Sequence, residues 1–95
     1  MKFLKEVDFT IDEIATLEAN LTDAISEKVC QFPVLVLKNI NYLKDLGIKN
    51  FKIVFLRFRE LFLKDHNKFK AIFEKYETTD LVDKIESNPD IVEYL

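Results

Sequence analysis

The chain has 95 residues, enough for one domain (residues 1–95) and for a single modest core, and its formal net charge is −3. One Gly and two Pro are too few for the many tight turns of a sandwich or barrel, so composition points to an all-α fold. A single Cys rules out an internal disulfide and any multi-Cys zinc site, and with the Lys-rich composition it implies a reducing, cytoplasmic setting.

At the N-terminus, Met1–Glu6 interrupts its apolar run at once, unlike a signal or transit peptide. No stretch approaches the ~18 uncharged residues of a membrane span, so no membrane is expected. Thr10 and Glu13 have the spacing of a capping box, with Phe9 and Ile14 placed as a hydrophobic staple. They start a helix expected over about 11–30, with Ile14, Leu17, Leu21, Ile25 and Val29 as its apolar stripe and Asn20 loosening its middle. Asn20-Leu21-Thr22 matches a glycosylation sequon and is read as chance, for want of a secretory signal.

Phe32-Pro33 ends that helix and opens a second, about 33–46, which buries Val36, Ile40, Leu43 and Leu46. Gly47 stands where a left-handed C-cap is wanted. A third helix is expected over 51–64, capped by Asn50. Phe51, Phe55, Phe58 and Phe62 form one stripe, widened by Val54 and Leu61, while Ile53, Leu56 and Leu63 fall on another side. That second strip has two readings: the helix is the buried centre of the domain, which is favoured, or the strip is an exposed partner contact. A fourth helix, about 68–76 and capped by Asn67, turns Phe69, Ile72, Phe73 and Tyr76 inward. Thr78 or Thr79 caps a short fifth helix with Leu81, Val82 and Ile85 inside. Asn88-Pro89 starts a last turn with Ile91, Val92 and Leu95 apolar. The result is four or five short helices, packed as a compact bundle or a short two-helix-repeat solenoid.

Charge is strongly segregated. Residues 38–75 hold ten Lys/Arg against four acids, residues 1–37 three Lys against seven acids, and residues 76–95 one Lys against six. Lys44, Lys49, Lys52, Arg57, Arg59, Lys68 and Lys70, with Lys64 beside them, therefore form a candidate phosphate-contacting surface for nucleic acid. The competing account is a solvated face neutralised by the acidic ends folding over it.

No residue set supports catalysis. His66, the only His, stands on an inter-helix turn as a polar linker residue. Cys30 lies near a helix C-terminus, where the dipole disfavours a thiolate, and is read as a semi-buried small residue. The acids at helix starts are explained by capping, and one Gly cannot build a phosphate loop. No enzyme activity, metal, cofactor or small-molecule ligand is expected. The expected function is an interaction module that binds a protein partner or forms a homodimer through helix 51–64, using Ile53, Leu56, Arg57, Leu63 and Lys64; nucleic-acid binding through the basic block is the alternative.

Three pentads recur: Phe32-Pro33-Val34-Leu35-Val36, Phe58-Arg59-Glu60-Leu61-Phe62 and Asn88-Pro89-Asp90-Ile91-Val92. Their spacing near 30 residues is that of a two-helix repeat. Phe32-Pro33-x-Leu35, continued by Tyr42-Leu43-Lys44-Asp45-Leu46-Gly47-Ile48, resembles the repeat of the mitochondrial transcription termination factor family. The resemblance covers about residues 30–95 and is carried mainly by 32–48; the second unit has Arg59 where the family has Pro and Tyr76 near where it has Gly. It implies stacked helical repeats in a curved solenoid and nucleic-acid binding along a basic concave face.

Overall fold

The computed structural model describes residues 1–20 and 24–95. Along the chain run η1 (Lys2–Val7), α1 (Ile11–Asn20), α2 (Ala24–Gln31), α3 (Pro33–Leu46), α4 (Phe51–Arg57), η2 (Arg59–Leu63), α5 (His66–Glu74), α6 (Thr78–Ser87) and η3 (Pro89–Tyr94), where η marks a 3-10 segment. The described residues contain no strand, and the all-α expectation holds. The radius of gyration of 12.8 Å is that of a compact chain of this length.

The capping box forms as expected. Thr10 N–H donates to Glu13 Oε1 at 2.8 Å, and Glu13 N–H donates to Thr10 Oγ1 at 3.1 Å. Phe9 and Ile14, the two halves of the staple, are both buried. The single helix expected over 11–30 is described as α1 and α2. Leu21 and the sequon's Thr22 lie outside the described residues, as does the side chain of Ile25.

α3 has the expected bounds, with Pro33 at its first turn. Gly47 ends it at φ 95° and ψ 13°. Ile48 N–H reaches back to Leu43 C=O at 3.2 Å, and the Ile48 side chain is buried, which together make a Schellman stop. α3 is the hub of the fold: η1, α2, α4, η2 and α5 all pack on it. The segment 51–64, for which central burial was the favoured of two expectations, packs on α3, α2 and η3 and buries Phe51, Val54, Phe55 and Phe62, but leaves Ile53 and Leu56 exposed.

That segment is also not one helix. α4 stops at Arg57, and Phe58 takes φ −127° and ψ 46°, outside helical geometry. In an unbroken helix Phe55 and Phe62 would stand about 10 Å apart along the axis, at 1.5 Å per residue. The break brings their rings to 5.2 Å, edge to face at 88°. A chain of ring contacts then runs from Phe9 through Phe55, Phe62 and Phe69 to Phe73 and Tyr42. Tight aromatic packing thus outweighs helix continuity.

The backbone groups released beyond the break find a partner in α3. Asn39, completely buried, donates through Nδ2 to Phe62 C=O at 2.9 Å and to Lys64 C=O at 3.0 Å. A buried carbonyl without a donor is costly, so one amide holding two of them fixes the path of η2.

Other boundaries shift by the same local chemistry. Asp65, rather than Asn67, caps α5 by accepting from Asn67 N–H at 3.2 Å. Glu77, rather than a Thr, caps α6 by accepting from Thr79 N–H and Asp80 N–H. Asn50 occupies the residue before α4, but its Nδ2 donates to Ile85 C=O at 2.9 Å and so ties the α3–α4 turn to the end of α6. Asn88 caps η3 through Asp90 N–H. Tyr76, expected inside, is exposed, as is Cys30. Among the described residues no helix is long and apolar enough to cross a membrane.

Candidate interaction surface

The break at Phe58 opens a cleft of about 910 Å³ between α2, the start of α3, η2 and η3. Its apolar lining is Phe32, Leu35, Phe58, Leu61, Leu63 and Val92. Its charged lining is Lys28, Arg57, Arg59 and Lys64 against Glu60 and Glu93. Phe32, at the N-cap of α3, is 53% exposed, and Val34 two residues further is 66% exposed. Phe32 and Leu35 also line a neighbouring depression with Pro33, Lys38 and His66, so the first turn of α3 is an apolar ridge with a hollow on either side.

A second groove, of about 330 Å³, lies between α1 and α4. Phe9, Leu17, Ile53 and Leu56 give it an apolar character, and Asp12, Glu13 and Lys52 border it. Ile53 is 44% exposed and Leu56 46%.

The five residues read from the sequence as one partner strip are therefore divided. Ile53 and Leu56 line the α1–α4 groove, whereas Arg57, Leu63 and Lys64 line the cleft at the break. The favoured central burial of Ile53 and Leu56 is corrected, because α4 turns only Phe51, Val54 and Phe55 toward the core. Leu63 is half-buried against the core. Phe32, Val34, Leu35 and Lys28 were missed. The signal for them is Val34-Leu35-Val36-Leu37: four consecutive apolar residues in a helix cannot all face one core, so some of them must point outward.

The basic block is divided too. Lys44 Nζ binds Asp8 at 2.6 Å and lies 5.7 Å from the Phe51 ring centre. Lys52 Nζ binds Glu13 at 2.8 Å and lies 5.4 Å from the Phe9 ring centre. Arg57 binds Asp90 at 2.6 Å. These three pairs join the basic middle to both acidic ends, as the internal-neutralisation account expects. Lys70 faces Glu74 one turn away at 4.0 Å and also lies near the Tyr42 ring. Arg59 Nη1 donates to Leu56 C=O at 3.1 Å. The Lys49 backbone N–H donates to Glu86, while its side chain is exposed, as are those of Lys64 and Lys68. Arg57, Arg59 and Lys64 share the cleft with Lys28; Lys44 in α3 and Lys52 in α4 pair with Asp8 and Glu13 of the N-terminal segment instead.

These pairs leave their mark on titration. A hydrogen bond from Lys44, then its charge, holds the Asp8 carboxyl below the ordinary carboxylate range. Glu13 is lowered first by the Lys52 hydrogen bond and then by Thr10 N–H. Glu77 is lowered by the helix N–H groups of Asp80 and Thr79. Burial, with the charge of Glu74 behind it, raises the Tyr42 phenol.

His66 is the first residue of α5 rather than a free turn residue. It is half-buried, and its Nδ1 lies 2.9 Å from Asn39 Oδ1, with Tyr42 edge-on to the ring. Among the described residues no three His, Cys, Asp or Glu side chains are gathered as metal ligands.

Comparison of the chain with family models, curated proteins and solved structures finds no match.

Proposed function

We propose that the chain is a non-enzymatic interaction module that binds a protein partner through the cleft at the Phe58 break. One observation carries this reading: a wide cleft with an apolar floor lies beside Phe32, an aromatic side chain more than half exposed. An exposed aromatic anchor at the edge of a concave apolar lining suits a protein contact. Arg57, Leu63 and Lys64 belong to this surface; Ile53 and Leu56 belong to a smaller second one. The single, exposed Cys30 and the Lys-rich composition support a reducing, cytoplasmic setting.

The test is site-specific photocrosslinking. A photoreactive residue at position 32 is expected to trap a saturable protein adduct, while the same residue at position 75, on exposed Lys75, does not. Equal, unsaturable labelling at both positions defeats the reading. Sedimentation of the unlabelled protein separates a second copy from a foreign partner.

The second reading, nucleic-acid binding as a helical-repeat domain, is supported by the gathering of Lys28, Arg57, Arg59 and Lys64 at one cleft. Against it, Lys44, Lys52 and Arg57 each already hold a carboxylate. Fluorescence anisotropy with a labelled RNA or DNA oligomer at low salt tests it. Binding that weakens steeply with salt supports this reading, and no binding at low salt removes it.

A further inference from the structure

We propose that the partner segment taken by the cleft is acidic and apolar-anchored, and that Asp90 holds Arg57 in the place a partner carboxylate takes over. The inference rests on the interaction-module reading and adds the chemistry of the partner.

The lining suits an apolar side chain: Phe32 and Phe58 are its aromatic members, and Leu35, Leu61, Leu63 and Val92 make the rest aliphatic. Glu60 and Glu93 on the walls would repel a continuous phosphate backbone, yet a peptide with spaced carboxylates can avoid them. The rim decides for acid. Lys28 and Lys64 are exposed at the cleft and hold no ion pair among the described residues. An apolar side chain seated beside Phe32 would bring neighbouring carboxylates into reach of these cations, and electrostatic complementarity sets partner choice and encounter rate.

Arg57 supplies the third cation, held by Asp90 at 2.6 Å. Both side chains are about half exposed, so the pair adds little stability and exchanges readily. Asp90 also stays anchored without Arg57, because its backbone N–H donates to Asn88 Oδ1 at 3.2 Å. A partner carboxylate can thus displace Asp90 from the guanidinium without unravelling η3. Asp90 is an internal competitor, and neutralising it should tighten binding.

A random linear peptide library displayed on phage, selected against the full chain, supplies the probe. Enriched peptides are expected to combine Leu or Phe with several Asp or Glu. Their synthetic forms should bind about tenfold more weakly to Lys64→Glu, a charge reversal at the rim, and about threefold more tightly to Asp90→Asn. Phe32→Ala should weaken them comparably, and circular dichroism checks that each variant is folded. Peptides that need Phe32 but carry no acids, and that bind Lys64→Glu and Asp90→Asn unchanged, overturn the acidic inference and leave the interaction module standing. Peptides indifferent to Phe32 overturn both. A labelled RNA oligomer that binds the wild type and is lost with Lys64→Glu also overturns the inference and gives the cleft to nucleic acid.

Discussion

Asn39 and His66 meet across the α3–α5 contact, with Asn39 Oδ1 2.9 Å from His66 Nδ1. Because Asn39 Nδ2 donates to two carbonyls, its Oδ1 must be the atom facing the ring, so Nδ1 of His66 carries the proton. Long-range nitrogen–proton correlation spectra are expected to show the Nδ1–H tautomer in the neutral imidazole. An Nε2–H tautomer would mean that the bond is not made.

The same amide holds two backbone carbonyls from a fully buried position. Asn39→Leu keeps the approximate volume but strips the donors from Phe62 C=O and Lys64 C=O, at a cost of about 3 kcal/mol in urea unfolding, the scale of a buried group left unsatisfied. His66→Ala removes only the half-buried outer partner and is expected to cost about 1 kcal/mol.

Acid should weaken the fold through the lowered carboxyls. Asp8, Glu13 and Glu77 each titrate lower when folded than when unfolded. Their contribution is therefore complete above the ordinary carboxylate range, about pH 4, and is lost as pH falls through the folded values. Melting temperature is expected to hold from pH 7 to about pH 5 and to decline below that. Glu13→Gln should flatten the decline. Asp8 and Glu77 are exposed and Glu13 is half-buried, so high salt should flatten it in part as well.

Two neighbours in α4 should behave oppositely. Phe55 is fully buried and touches Phe9 and Phe62, so Phe55→Ala is expected to cost about 3–5 kcal/mol. Leu56 is nearly half exposed, so Leu56→Glu should change stability by less than about 1 kcal/mol. Chemical denaturation of the two variants checks the facing of α4. Unfolding by Leu56→Glu would return that residue to the core.

Gly47 offers a test of backbone cost alone. A Cβ there meets nothing within 4 Å, yet φ is 95°. Gly47→Ala should therefore destabilise by about 1 kcal/mol purely through conformation, and Gly47→Asn by less. Thermal melts of both variants give the comparison.

The elements with self-contained signals were legible in the sequence: the Thr10/Glu13 box, Pro33 and Gly47 lie within a turn of the helix ends they set. The break at Phe58 was not. It goes with the packing of the Phe55, Phe62 and Phe69 rings and with the hold of Asn39, far off in sequence, on Phe62 C=O and Lys64 C=O, while the periodicity of 51–64 alone fits an unbroken helix. η1 was missed because its buried Leu4 and Val7 are too few to show a period. For the candidate surface, the sequence supplied Arg57, Leu63 and Lys64, but the other wall of the cleft comes from the start of α3, which only the folded chain brings there.

The chain of aromatic rings has an optical consequence. There is no Trp, and Tyr42 stands at the end of a path of Phe rings whose neighbouring centres are 5.0 to 5.9 Å apart from Phe9 to Phe73. Excited phenylalanine passes its energy to a nearby tyrosine, with an efficiency that falls steeply with distance. Light absorbed by those rings in the folded protein should emerge in large part as tyrosine emission, with Tyr42 the acceptor in ring contact, and unfolding should return more of it to the weak phenylalanine band. The molecule thereby reports its own core packing without a label, and Tyr42→Phe should weaken the report while keeping the ring, leaving Tyr76 and Tyr94 as the remaining acceptors.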